Sequence, residues 1–156
     1  MHEKDLVVET LFDEPLFIVA GARSRWANRR KITLADLLDE PWILPDPETE
    51  IGSLVAGLFQ ASGLEVPRPA VVGNALEMYW ALLAAGKFLT ALPQSVLRFS
   101  VQRPTIKVLP VMLAVQPKPV GIVTLRNRTL SPAAQLFIDC VRDVAKPLAK
   151  PQSNRT

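Results

Sequence analysis

The chain has 156 residues, 49% of them hydrophobic and 21% charged, with 18 Lys and Arg against 15 Asp and Glu. That length can bury roughly two thirds of its unfolded surface, so no metal or disulfide staple is needed to hold a core. One cysteine (Cys140) and one histidine (His2) exclude an intrachain disulfide and leave no ligand set for a His/Cys zinc site and no nucleophile–histidine dyad.

No run of about 18 or more apolar residues offers a membrane span, and the start Met-His-Glu-Lys-Asp lacks the apolar core of a secretion signal. A reducing, cytoplasmic setting is expected. The net charge of +3 is unevenly spread: residues 32–77 hold eight acids and one base (Arg68), whereas residues 78–156 hold eleven bases and two acids. The densest basic run, Arg23 to Lys31, has only Trp26 as an aromatic partner. A solvated loop fits it better than a nucleic-acid face, which would be continuous and interleaved with aromatics.

In chain order, Leu16 to Ala20 reads as a buried strand closed by Gly21. Thr33 with Asp36 forms a capping box for a short helix that Pro41 ends. Trp42 to Leu44 is a brief strand running into Pro45-Asp46-Pro47, and Thr49 opens a helix with Leu54, Val55, Leu58, Phe59 and Ser62 at helical spacing, stopped by Gly63. Val71-Val72 is the next strand. Asn74, with Glu77 three residues on, is expected to cap a helix from Leu76 to Ala85, closed by Gly86. Phe88 to Leu92 is a strand ended by Pro93, and 93–99 a helical turn. Ile106 to Val115 is extended, with Pro110 marking an edge or bulge. Val120 to Leu125 is the last strand. Ser131-Pro132 opens the last helix, whose apolar stripe of Leu136, Phe137, Cys140, Val141 and Val144 places Cys140 as an inert core thiol. The polar tail from Pro147 to Thr156 is expected to be disordered. Alternating strands and helices define an α/β sheet with helices on its faces.

Several of these segments, in this order and spacing across residues 5–146, resemble the effector-binding domain of LysR-type transcriptional regulators. They are Leu34-Ala-Asp-Leu-Leu-Asp-Glu-Pro-Trp-Ile-Leu-Pro45, the helix ending in Gly63-Leu64, Leu82-Leu-Ala-Ala-Gly86 through Ala91-Leu-Pro93, and Ser131-Pro-Ala-Ala-Gln-Leu-Phe137. Pro119 to Pro132 and Phe88 to Pro93 are most similar to the branch named after the galactose-binding-protein regulator. The resemblance implies a two-lobed fold of the type 2 periplasmic-binding-protein kind, with an effector between the lobes and assembly as dimers or higher oligomers. On that plan residues 1–146 are part of an effector-binding domain. About 16–115 form a complete second lobe, about 120–146 supply the return strand and helix of the first, and no helix-turn-helix is present. DNA contact would then come only through a domain outside this fragment. Lys87-Phe88 departs from the family's small-residue turn at that place.

The candidate ligand-binding residues are Asp46, Thr49, Glu50, Asn74, Tyr79, Thr90 and Pro93. Helix starts at Thr49 and Asn74 offer unpaired N–H groups to an oxygen-rich ligand, and the family plan turns both toward the cleft; capping alone is the competing role. Asp46, Glu48 and Glu50 would repel a carboxylate effector unless a base elsewhere compensates, and suit a neutral polyol or sugar, or a cation, with a solvated acidic loop as the alternative. Tyr79 or Trp80 could stack on a sugar face, core packing being favoured for Trp80. Thr90 and Pro93 lie toward a strand end, where α/β sheets present ligands. No catalytic set, cofactor motif or metal cluster is expected, so the chain reads as a sensing module and not an enzyme. A stand-alone solute-binding or self-association module is the other reading.

Overall fold

The computed structural model describes residues 5–101 and 105–149. The chain divides into two compact units, Leu16–Gln116 and a smaller one of Met1–Pro15 with Pro117–Thr156.

The larger unit is built on β2 (Leu16–Gly21), β3 (Ile43–Leu44), β4 (Val71–Val72), β5 (Leu89–Pro93) and β6 (Ile106–Val108), with β1 (Leu6–Glu14) preceding it in the chain. Strand β3 pairs in parallel with β4, and β2 pairs antiparallel with both β5 and β6. A parallel bridge between Trp42 and Leu89 joins the two sets, giving the spatial order β4-β3-β5-β2-β6. Helix α1 (Glu50–Ala61) buries Val55, Leu58 and Phe59 in a cluster with Ile18, Ala20, Leu37, Trp42 and Leu44. Helix α2 (Leu76–Ala84) and the short α3 (Gln94–Phe99) bring Tyr79, Leu83 and Leu97 to a second cluster around Val19, Ile43 and Leu92. Two clusters on opposite faces explain why the middle strands read as unbroken apolar runs and not as alternating ones.

Local sequence decides the joints. Thr33 and Asp36 do bond reciprocally, Thr33 N to Asp36 Oδ2 at 2.8 Å and Asp36 N to Thr33 Oγ1 at 3.3 Å. The bond from Thr33 N and a second one donated by Thr33 Oγ1 to Asp36 Oδ2 at 2.7 Å hold the Asp36 carboxyl below its usual range. The element they start is only a 3-10 turn, Ala35–Leu37, because Pro41 leaves no room for a second turn. Gly21 lies so close to α2 that a β-carbon there would stand 1.9 Å from the Leu83 carbonyl oxygen. In the basic loop, Arg25 donates to Glu40 and lies 5.3 Å over the Trp26 ring, as an internally paired surface loop does. Beyond β6 the extended stretch expected to reach Val115 keeps a bond from Leu109 N to Ile18 O at 2.8 Å and a bridge from Val111 to Ile32; Pro110 has no N–H for a ladder.

In the smaller unit β1 pairs antiparallel with β7 (Lys118–Leu125), with an irregularity between Thr10 and Phe12, and α4 (Pro132–Ala149) packs on β1. Ser131 Oγ accepts from Ala134 N at 3.2 Å, the expected hydroxyl cap. Two expectations fail here. The helix passes Pro147 and ends at Ala149. Pro147 removes one backbone bond near the end, and burial of Ala145 and Leu148 offsets it; residues 150–156 of the expected tail lie outside the described residues. The stripe carrying Cys140 is not core: α4 buries Ile138, Ala145 and Leu148, while Leu136, Phe137 and Val144 are 60–69% exposed and Cys140 is exposed.

Arg142 on α4 clamps Glu9 on β1 with two bonds, Nε to Oε1 at 2.9 Å and Nη2 to Oε2 at 2.7 Å. The guanidinium holds the Glu9 carboxyl below the usual carboxylate range. A carboxyl lowered by folding stabilises above its unfolded pKa, and that contribution is lost as pH falls through the folded value. A Glu9 carboxyl signal followed by NMR is expected to titrate below the ordinary glutamate range, and Arg142→Gln to return it there. An unchanged midpoint would mean the clamp is absent in solution.

Candidate functional site

The parallel strands β3, β4 and β5 end at one edge of the larger sheet. Each is followed at once by a polar residue: Asp46 after Pro45, Asn74 after Gly73, and Gln94 after Pro93. The first two loops are tied together by Gly73 N donating to Leu44 O at 3.2 Å. Carboxyl edges of parallel strands are where open α/β sheets receive ligands.

The Asp46 loop is built by its own backbone. Thr49 caps α1, its Oγ1 accepting from Gly52 N at 3.0 Å and donating to Asp46 O at 2.7 Å. Asp46 O also accepts from Thr49 N at 3.0 Å, and Asp46 Oδ1 accepts from Glu48 N at 2.9 Å. Asp46, Glu48 and Glu50 are exposed at the head of α1, where the helix dipole favours negative charge. Thr49→Ala removes the cap and is expected to lower the unfolding free energy of this unit by about 1 kcal/mol, read from urea denaturation; no change would show the cap to be replaced by water.

Asn74 does not cap its helix. The N-cap of α2 is Ala75, which makes no side-chain bond, so Asn74 stands one residue too early and Glu77 one position short of the box spacing. Asn74 is exposed. Tyr79 and Thr90 are not exposed at the edge either. Tyr79 is buried and its hydroxyl donates to Gly73 O at 2.6 Å; burial pushes its phenol pKa up. Thr90 is wholly enclosed mid-strand and donates to Ile43 O at 2.8 Å. Both hydroxyls serve to join neighbouring segments. Trp80 is half-buried beside the second cluster. The structure therefore gathers Asp46, Thr49, Glu50, Asn74 and Pro93 at one edge and withdraws Tyr79 and Thr90 from it.

Gln94 was not legible as a site residue, since it follows a strand-ending proline inside a helical turn. Only 7% of it is exposed, and among the described residues no partner bonds its amide. Among the described residues no group of three or more His, Cys, Asp or Glu is placed to hold a metal ion, and no helix is long and apolar enough to cross a membrane.

A twisted sheet sheathed by helices on both faces, with polar loops collected at the carboxyl edge of its parallel strands, is the architecture of a periplasmic-binding-protein-like ligand lobe. Residues 2–146 match the LysR substrate binding domain, and the chain belongs to that family. The family and its relatives here are transcriptional regulators rather than enzymes. The transcriptional regulator GalR of Pseudomonas putida is 27% identical over 143 residues, covering 92% of this chain and 36% of its own. GbpR of Azospirillum brasilense is 27% identical over 113 residues, covering 72% and 33%. The chain thus spans about a third of the length of these relatives. Among solved structures, the regulatory domain of CcmR from Synechocystis PCC6803, in complex with 2-PG, superposes with a TM-score of 0.73 at 23% identity, covering 94% of this chain and 70% of that one. The effector binding domain of QuiR, in complex with shikimate, gives 0.70 at 20%, covering 94% and 68%. At such identities the likeness speaks for the fold.

Proposed function

We propose that this effector-binding chain senses a small, oxygen-rich, sugar-like metabolite inside the cytoplasm, using Asp46, Thr49, Glu50, Asn74 and Pro93. The observation that carries this is the convergence of three strand ends and the capped start of α1 on one sheet edge. Exposed carboxylates there accept from hydroxyls and disfavour an anion that brings no compensating base. Ligand binding would bias the protein between two arrangements, read out by a DNA-binding domain and by assembly as a dimer or higher oligomer. In this reading residues 16–115 form one complete lobe and residues 120–146 belong to the other.

Thermal denaturation with D-galactose, D-gluconate and shikimate tests this. A saturable rise in Tm with at least one of them is expected, because a ligand that binds only the folded state stabilises it. Silence with all three would count against effector binding by this chain.

Self-association is the second reading, favoured by a specific observation. Leu136, Phe137, Val144, Val8 and Val123 are exposed on the smaller unit, and Phe137 and Val144 line an apolar groove of about 440 Å³. Exposed apolar surface of that kind commonly marks an interface. Light scattering would show a monomer if this second reading is wrong.

A further inference from the structure

We propose that Gln94 is a specificity-determining residue of the ligand edge, its amide reading a hydroxyl pair on a neutral polyol; this rests on the effector reading above. Three observations support it. First, Gln94 follows the carboxyl end of β5 as Asp46 follows β3 and Asn74 follows β4, so it stands at the same edge on the third parallel strand. Second, 93% of the residue is buried, yet among the described residues its amide has no hydrogen-bond partner. Third, the only side-chain nitrogen or oxygen that is both enclosed and unpartnered among the described residues is Trp26 Nε1. The remaining exposure of Gln94 is therefore at its amide: the stem is packed and the polar end is open.

A packed stem holds the amide in place, so its open polar end is presented to a ligand with little further ordering to be done on binding. The group also selects chemistry. Oε1 accepts and Nε2 donates, so neighbouring hydroxyls satisfy both atoms, one donating and the other accepting. Asp46 supplies a further acceptor at the same edge and Asn74 a second amide. This donor–acceptor set distinguishes a hydroxylated ligand from its deoxy analogue, because removal of one hydroxyl leaves a buried amide atom unpaired.

The test is Gln94→Met, which keeps the stem and removes the amide, measured in the whole chain against D-galactose and D-glucose and their monodeoxy analogues. The variant is expected to bind the responding sugar about three- to tenfold more weakly, the usual worth of one hydrogen bond, and to lose the preference over the deoxy analogue. Its urea midpoint without ligand is expected to equal or exceed that of the parent. A wild-type chain silent to every compound overturns the effector reading and this one with it. A responsive wild type whose preference survives in Gln94→Met overturns the role of Gln94 alone. So does a variant that is less stable without ligand, since that result would mean the amide is already satisfied inside the protein.

Discussion

Replacing Trp42 with alanine is expected to cost the larger unit about 3–5 kcal/mol, the range for deleting a large aromatic from a packed core. Trp42 is completely enclosed. Its ring meets Phe59 of α1 edge to face, with centroids 5.3 Å apart and planes at 82°, and its Nε1 donates to Leu37 O at 2.8 Å. Its backbone is equally committed: the carbonyl accepts from Ala70 N at 2.9 Å and Val71 N at 3.2 Å, and the residue bridges to Leu89. One residue thus ties the 3-10 turn and α1 through its side chain and the join between the two strand sets through its backbone. A loss of that size is a large fraction of a typical domain's 5–15 kcal/mol, so the alanine variant is liable to be largely unfolded. Trp42→Phe keeps the measurement accessible. It retains most of the apolar ring and removes one bond to Leu37 O, which still accepts from Glu40 N at 3.1 Å, an expected cost of about 0.5–1.5 kcal/mol. Urea unfolding followed by far-UV circular dichroism reads both. A loss below about 1 kcal/mol in the alanine variant would mean that this core has no such keystone.

What the sequence made visible follows from where its signals are local. The run Leu16 to Gly21 is apolar throughout because both sheet faces are covered, and it became β2. Thr49, Gly63 and Gly86 act within a few residues, as a cap and as two left-handed helix ends at φ +69° and +80°. The motif order likewise led to the LysR family. Asn74 failed by a single residue, because capping depends on which residue turns extended just before the helix, and that residue is Ala75 at φ −82°, ψ 113°.

The remaining misses are tertiary. Helix α4 has apolar residues on more than one side, and periodicity cannot say which side is covered. The sequence pointed to the stripe through Leu136, Phe137, Cys140 and Val144, whereas packing chose Ile138, Ala145 and Leu148. At the candidate site, residue type located Asp46 and Thr49, whose chemistry is expressed within their own loop. Tyr79 and Thr90 carry equally suitable hydroxyls, but these point at the carbonyls of Gly73 and Ile43. Gln94 shows the converse: nothing in its neighbourhood of sequence signals that its stem is packed while its amide has no protein partner.

Two glycines in α1, five residues apart, are expected to respond to alanine with opposite signs. A β-carbon on Gly57 meets nothing within 4 Å, so Gly57→Ala should stabilise by about 0.5–1 kcal/mol, through the helix propensity and chain entropy that glycine forgoes. A β-carbon on Gly52 would stand 1.9 Å from Asp46 O, 2.6 Å from Asp46 C and 2.8 Å from Pro47 Cα. Every one of those neighbours is backbone, so no side chain can rotate away and either the helix start or the Asp46 loop must move. Overpacking of this kind costs about 1–3 kcal/mol, more than the propensity gain returns. Movement of the loop would also strain the bonds that Asp46 O accepts from Thr49 N and Thr49 Oγ1. The chain's tryptophans, Trp26, Trp42 and Trp80, all lie in this unit, so fluorescence-monitored urea unfolding reports on it directly. Gly57→Ala should raise the midpoint and leave any ligand response intact. Gly52→Ala should lower the midpoint and weaken that response, because the displaced segment carries Asp46. If Gly52→Ala matched Gly57→Ala in both measurements, the close approach between the Asp46 loop and α1 could not be what shapes this edge of the sheet.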